Sequence, residues 1–205
     1  MNIEVLSAFV LASVALTISP GPDIIYVLMQ GMVNGKKYGI ATAAGLVTGI
    51  IVHTTLVAFG VSAIIKQSNS LFLVIKICGA LYLLYLAYKV FKSKEEITLS
   101  NSTIKKKSLQ ALFKQGFIMN VLNPKVTIFF LAFFPGFIFS NSMPHVWQFY
   151  ILGFIFMLQA FIIFCLVAIL SGSISKYLLQ HKHMQTILKW LQILVFIGIG
   201  IFILL

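Results

Sequence analysis

The sequence is poor in acid: four Asp and Glu residues stand against fifteen basic ones, and only 9% of 205 residues are charged. So little charge, with 60% apolar residues and a mean hydropathy of +1.04, excludes an ordinary soluble domain. Arginine is absent, and the fifteen basic residues are all lysines. Most of these sit between apolar stretches, so the net charge of +11 reads as membrane topology, and no nucleic-acid partner is expected. Only two cysteines occur, Cys78 and Cys165, far apart and without a CxxC or Cys/His cluster. A disulfide framework and a metal site are therefore not expected, and both thiols read as small apolar fillers. There is no HExxH, no serine with a plausible His/Asp set and no cofactor fingerprint, which argues against an enzyme and against any cofactor.

What the sequence does have is long apolar runs. They recur at roughly 3–29, 39–65, 71–91, 116–139, 146–170 and 187–205, each long enough for a spanning helix of about 17–25 residues. The expected fold is an all-α integral membrane protein of six transmembrane helices in one domain. The first run is not expected to be a cleaved signal peptide: it lacks a basic start, carries Glu4, runs long and is followed by five more spans. Lysines favour the odd-numbered connections, with Lys36 and Lys37 in the first, seven from Lys89 to Lys114 around the third, and Lys176, Lys182 and Lys189 around the fifth. The positive-inside rule then places those connections in the cytoplasm and both termini outside. The third connection could also hold anionic membrane lipid, although topology is the simpler reading.

Five prolines punctuate the chain, and two sit in Ser19-Pro20-Gly21-Pro22-Asp23, inside the first apolar run. Prolines lack the N–H donor and push the preceding residue out of the α region, so Ser19 to Pro22 is predicted to be unwound, with helix resuming near Pro22 or Asp23. Unwound backbone at bilayer depth is tolerated only in protein or beside a wet cavity. A simple proline kink is one reading. A discontinuous helix at a substrate or ion site is the other, and Asp23 favours it because ionisable residues inside spans mark pathways.

A second break follows in Asn120-Val121-Leu122-Asn123-Pro124-Lys125, in the fourth run. Ser19-Pro20 and Asn123-Pro124 each put a capping residue before a proline, and each reads as a helix restarting. Each break lies in the first helix of a three-helix half. A repeat of about 1–91, a cytoplasmic linker of about 92–107 and a repeat of about 108–205 therefore form two inverted repeats with helices 1 and 4 broken. Asp23 and Lys125 carry opposite charges after the two breaks, suited to one another or to the two ends of a zwitterion. The substrate or ion site is thus assigned to Ser19, Pro20, Gly21, Pro22, Asp23, Asn120, Asn123, Pro124 and Lys125. In the second run Gly45, Gly49 and His53 share one helix face that would let another helix approach closely. His53 either bonds a neighbouring helix or relays protons. Lys76 and Tyr82 in the third run are secondary candidates, Lys76 lying close enough to the outer end to snorkel. Gln159 is expected to be the only strongly polar interior residue of the fifth run, and Trp147 and Tyr150 read as interface anchors.

These motifs resemble the lysine exporter and homoserine/threonine resistance family of bacterial amino-acid exporters. The resemblance rests on Ser19 to Asp23, on Gly45, Gly49 and His53, on Ile75-Lys76 with Gly79-Ala80-Leu81-Tyr82-Leu83, and on Asn120 with Asn123-Pro124-Lys125. It implies a six-helix inner-membrane transporter that exports amino acids or related small metabolites and is driven by the proton-motive force. One departure is Pro135-Gly136-Phe137, where relatives often show Pro-Gln-Phe. The expected function is proton antiport of an amino acid, with protons and membrane lipid as partners and room for a homodimer. A passive channel and a cation exporter of the same fold are the rivals; the first would never saturate, and the second would need more ligands than Asp23, His53 and two separated cysteines provide.

Overall fold

The computed structural model describes residues 3–93 and 107–204, so the expected linker, apart from its two ends, lies outside the described residues. The first apolar run forms two helices, α1 (Ile3–Ile18) and α2 (Pro22–Asn34), which meet at 58°. Gly35 then turns the chain with φ at +101°, a left-handed conformation that a side chain would strain. Helix α3 (Lys36–Leu56) continues through a wide π-helical turn, Val57–Val61, into α4 (Ser62–Gln67). Helix α5 (Asn69–Lys92) completes the first half, its first turn capped by the Ser68 hydroxyl accepting from the Leu71 amide at 3.2 Å.

The second half repeats the opening. Helix α6 (Leu109–Val121) and α7 (Pro124–Ile128), which runs on through tightened and widened turns to Phe137, meet at 48°. The α6 helix begins seven residues before the apolar run at 116–139. It is started at Leu109 by the Ser108 hydroxyl, which accepts from the Ala111 amide. Helix α8 (His145–Ile169) and α10 (Lys182–Leu204) supply the last spans, and a ten-residue helix, α9 (Ser171–Gln180), stands between them where the sequence suggested only a connection. Among the described residues four helices are thus long and apolar enough to cross a membrane unbroken, and the spans number six if each bent pair is one span.

Glycine sets the closest helix contacts. Gly45 of α3 lies against the Phe113 carbonyl of α6, Gly116 of α6 lies against the Thr42 carbonyl of α3, and a Cβ on Gly49 would fall 2.7 Å from the Asn120 side chain. The stripe expected from spacing alone therefore faces α6, whose end carries Asn120 and the second break. Around this seam the core is phenylalanine: Phe129, Phe130 and Phe134 from the fourth span pack with Phe9 and Phe156, ring centroids 4.4–6.3 Å apart.

Gln159 is not the only polar interior residue of the fifth span, as expected; Gln148 is fully buried in α8. Its Oε1 accepts from the amides of Phe139 and Ser140 at 2.8 and 2.9 Å, and its Nε2 donates to the carbonyls of Ser140 and Met143, both at 2.7 Å. One side chain so replaces the backbone pairing that the loop before α8 lacks, which no periodicity in the sequence signals. Tyr150 likewise reaches the Thr55 hydroxyl at 3.2 Å, so it joins α8 to α3 and is more than an interface anchor. With four hydrogen bonds at about 1 kcal/mol each, Gln148→Leu is expected to cost about 4 kcal/mol. A thermal melt in detergent checks this; an unchanged midpoint would show that water satisfies the loop instead.

Candidate functional site at the paired helix breaks

In a continuous helix the amide of residue i bonds the carbonyl of residue i−4. Pro20 has no such amide, so the carbonyl of Leu16 loses its partner at the end of α1. The second half replaces it. Lys125, from the first turn of α7, donates through Nζ to the Leu16 carbonyl at 3.0 Å and to the Ser19 carbonyl at 3.1 Å. A cation at the carbonyl end of a helix also gains from the helix dipole, and the same ammonium lies 5.5 Å from the centre of the Phe196 ring. Gly21 continues the extended segment beside it, its missing Cβ 3.6 Å from the Lys125 nitrogen.

The other break is built in the same way. Pro124 removes the amide that the Asn120 carbonyl would accept from, and His53 Nε2, from α3, donates to that carbonyl at 3.1 Å. The Asn123 amide also reaches it, at 3.0 Å. Asn123 caps the restarting helix, its Oδ1 accepting from the Lys125 amide at 3.0 Å. At both breaks, then, a proline orphans a carbonyl and a basic side chain from the opposite half supplies the donor.

The breaks meet directly. Asn123 Nδ2 donates to Asp23 Oδ2 at 2.9 Å, a buried bond between residues a hundred positions apart. Among the described residues, Asp23 Oδ1 and the Ser19 hydroxyl have no hydrogen-bond partner although both are buried. They face a cavity of about 30 Å³ also lined by Thr17, Gly21, Asn120, Asn123 and Lys125. That is room for about one water-sized group and not for a whole amino acid. Apolar Phe156, Ala160 and Phe164 of α8 form its far wall. Below them Gln159 Nε2 donates to the Thr17 hydroxyl at 2.9 Å and holds α8 to α1.

Most of the residues singled out in the sequence therefore meet, with two changes of role. Ser19 does not cap the restarting helix: α2 begins at Pro22, its cap position is Gly21, and no side chain bonds its first turn. The second proline of the pair holds the first helical position, where the helix was expected to resume, and the stretch before it is unwound. Lys125 bonds the end of α1 in place of the Asp23 carboxylate. Lys76 and Tyr82, on α5, do not line the cavity, and Tyr82 packs beside Tyr85 with centroids 6.1 Å apart. Gly136 is also elsewhere, its absent Cβ 3.4 Å from the Phe202 ring. Thr17 and Gln159 enter the site's surroundings through helix packing, and the four-residue step from Ser13 to Thr17 in an apolar helix was the one available hint.

Residues 14–205 match the family model described as LysE type translocator. The chain belongs to that family. This translocator is 30% identical, over 92% of its length and 91% of the relative's, to a homoserine/homoserine lactone efflux protein of Salmonella typhimurium. It is 31% identical to a leucine efflux protein of Klebsiella pneumoniae, over 93% and 90% of the two chains. An uncharacterized membrane protein of Vibrio cholerae is 29% identical over 98% and 96%. No solved structure matches the translocator. It is a multi-pass membrane protein of a transporter family, and the paired breaks are where its spans leave polar groups exposed to one another.

Proposed function

We propose that this translocator exports an amino acid or a closely related metabolite from the cytoplasm across the inner membrane, in exchange for protons, with both termini outside. The family match and the efflux proteins among its relatives support amino-acid export. The observation that carries the mechanism is the half-satisfied Asp23: one oxygen is held by Asn123 and the other faces the cavity without a partner. An ammonium group has three donors and no acceptor, which suits Asp23 Oδ1 with the Ser19 hydroxyl beside it. The substrate carboxylate is assigned to the free amides at the start of α2 and to the third donor of Lys125, whose other two are engaged by α1.

A cavity of about 30 Å³ holds only the ammonium end, so it represents the closed form of a carrier that opens by moving one inverted half against the other. Protonation of Asp23 from outside weakens its hold on the ammonium and releases substrate there. Return to the cytoplasm-facing form delivers the proton inward.

Everted vesicles with an acid interior test this, because export then appears as accumulation inside. Wild type is expected to accumulate one or a few of the twenty amino acids and homoserine, with saturable counterflow. Asp23→Asn is expected to lose the response to the imposed pH gradient. A full response in Asp23→Asn would remove Asp23 as the coupling acid; transport that never saturates would favour a channel.

A further inference from the structure

The unwound segment separates two cavities. Successive side chains of extended backbone point to opposite sides: Ser19 and Gly21 line the polar cavity and Pro20 lines a second one of about 510 Å³ behind it, while at the end of α1 Thr17 lines the first and Ile18 the second. Ile24 borders both. The second cavity lies between α2, the end of α8, α9 and the start of α10, with Ile174, Leu178, Met184 and Leu188 on its far walls. Among the described residues on its lining, Ser173 and Tyr177 are the only ones whose side chains carry an oxygen or nitrogen.

Apolar space of this size is destabilising if left empty, in proportion to its volume. Water does not fill it, because a buried water needs two to four polar partners. The occupant is therefore apolar. The polar groups that suit a substrate's ammonium and carboxylate lie across the unwound segment, so the substrate is not that occupant. One side is open: Ile18, Leu170 and Tyr177 are about 40–50% exposed on its rim, and Ile18 lies within the first bent span, where lipid is the solvent. On α9, the helix that supplies Ser173, Ile174, Tyr177 and Leu178 to the lining, Lys176 is exposed outside the lining itself. The connection there is one of the lysine-bearing ones read as cytoplasmic, the leaflet face whose anionic headgroups attract lysine.

We propose that this cavity is a lipid site: it takes an acyl chain of an anionic bilayer phospholipid, whose phosphate lies over Lys176. The chain then backs Pro20 and Ile24, the wall that must shift when the polar cavity enlarges around substrate.

The protein purified in mild detergent and exchanged with phosphatidylglycerol or phosphatidylcholine, then weighed intact by native mass spectrometry, tests this. Wild type is expected to retain one phospholipid per chain, phosphatidylglycerol about fivefold better than phosphatidylcholine, as one surface lysine would give. Ile174→Trp and Leu188→Trp, filling the cavity from opposite walls, are each expected to abolish retention; Lys176→Gln is expected to remove only the headgroup preference. Phosphatidylglycerol with a diazirine near its chain end, photolysed in wild-type protein, is expected to label residues 18–28 and 170–188, a readout that no misfolded variant can disturb. Equal retention by both tryptophan variants, or labelling elsewhere, overturns the proposal. Displacement of the lipid by the transported amino acid overturns it in favour of substrate, and cross-links between copies through α9 overturn it in favour of a dimer seam.

Discussion

Gly45→Ala is expected to remove most folded translocator from the membrane, whereas Gly198→Ala leaves yield and melting midpoint unchanged. Both add one methyl group to a glycine in a spanning helix. At Gly198 nothing stands within 4 Å of the new Cβ. At Gly45 it enters the Phe113 carbonyl, and backbone on both sides leaves no flexible side chain to give way. The helices must separate, which places the cost at or above the upper end of the about 1–3 kcal/mol typical of overpacking. Separation also carries Asn120 and its carbonyl away from His53, so that carbonyl keeps only the Asn123 amide. Gly116→Ala strikes the same seam from the α6 side, against Thr42. The two changes are therefore expected to cost less together than their sum, since one separation relieves both. Size-exclusion yield and thermal melts in detergent measure all four proteins. Wild-type behaviour of Gly45→Ala would mean that α3 and α6 do not approach this closely in the membrane.

Lys125→Met is expected to lose transport and to lower stability by about 3–5 kcal/mol, the usual consequence of removing one partner from a buried charged arrangement. The replacement is apolar and one atom shorter, so it fills most of the space but loses both the donor and the ammonium over the Phe196 ring. The carbonyls of Leu16 and Ser19 are then both without the donor that Pro20 denied to the first of them, and the Asp23 carboxylate keeps its buried charge with no cation nearby. The loss is larger than for His53→Phe, because the Asn120 carbonyl retains the Asn123 amide. Melting midpoints and counterflow of the identified substrate separate the two roles: a Lys125→Met protein that melts like wild type but fails to transport would assign Lys125 to substrate alone. Normal transport with a normal midpoint would remove it from both.

Much of this was legible along the chain because the bilayer leaves few ways to use a sequence. Apolar runs of this length can only span, prolines inside them can only break a helix, and Asp23 at such a break needs a partner. The six spans, the two interruptions, the glycine stripe and the membership of Asp23, Asn123 and Lys125 in one site follow from those restrictions. So does the helix start at Asn123, since Asn before Pro satisfies both the cap and the first helical position.

What stayed hidden depended on where atoms end up after packing. The paired prolines already placed the restart near Pro22, but that Gly21 holds the cap position with no side-chain bond is visible only in the packed structure. A lysine and an aspartate of opposite charge suggest an ion pair, but the carbonyl orphaned by Pro20 competes for the lysine, and which acceptor wins is settled by distance. Gln148 looked like one more residue in an apolar helix, because the loop it holds together is defined only once α8 is in place. The sequence alone, through the cost of unpaired backbone in lipid, determined that this protein is a helical membrane protein with two interrupted spans. The tertiary structure alone decided which side chain satisfies which orphaned carbonyl, because hydrogen bonds act over about 3 Å and spacing along a chain does not specify distances across it.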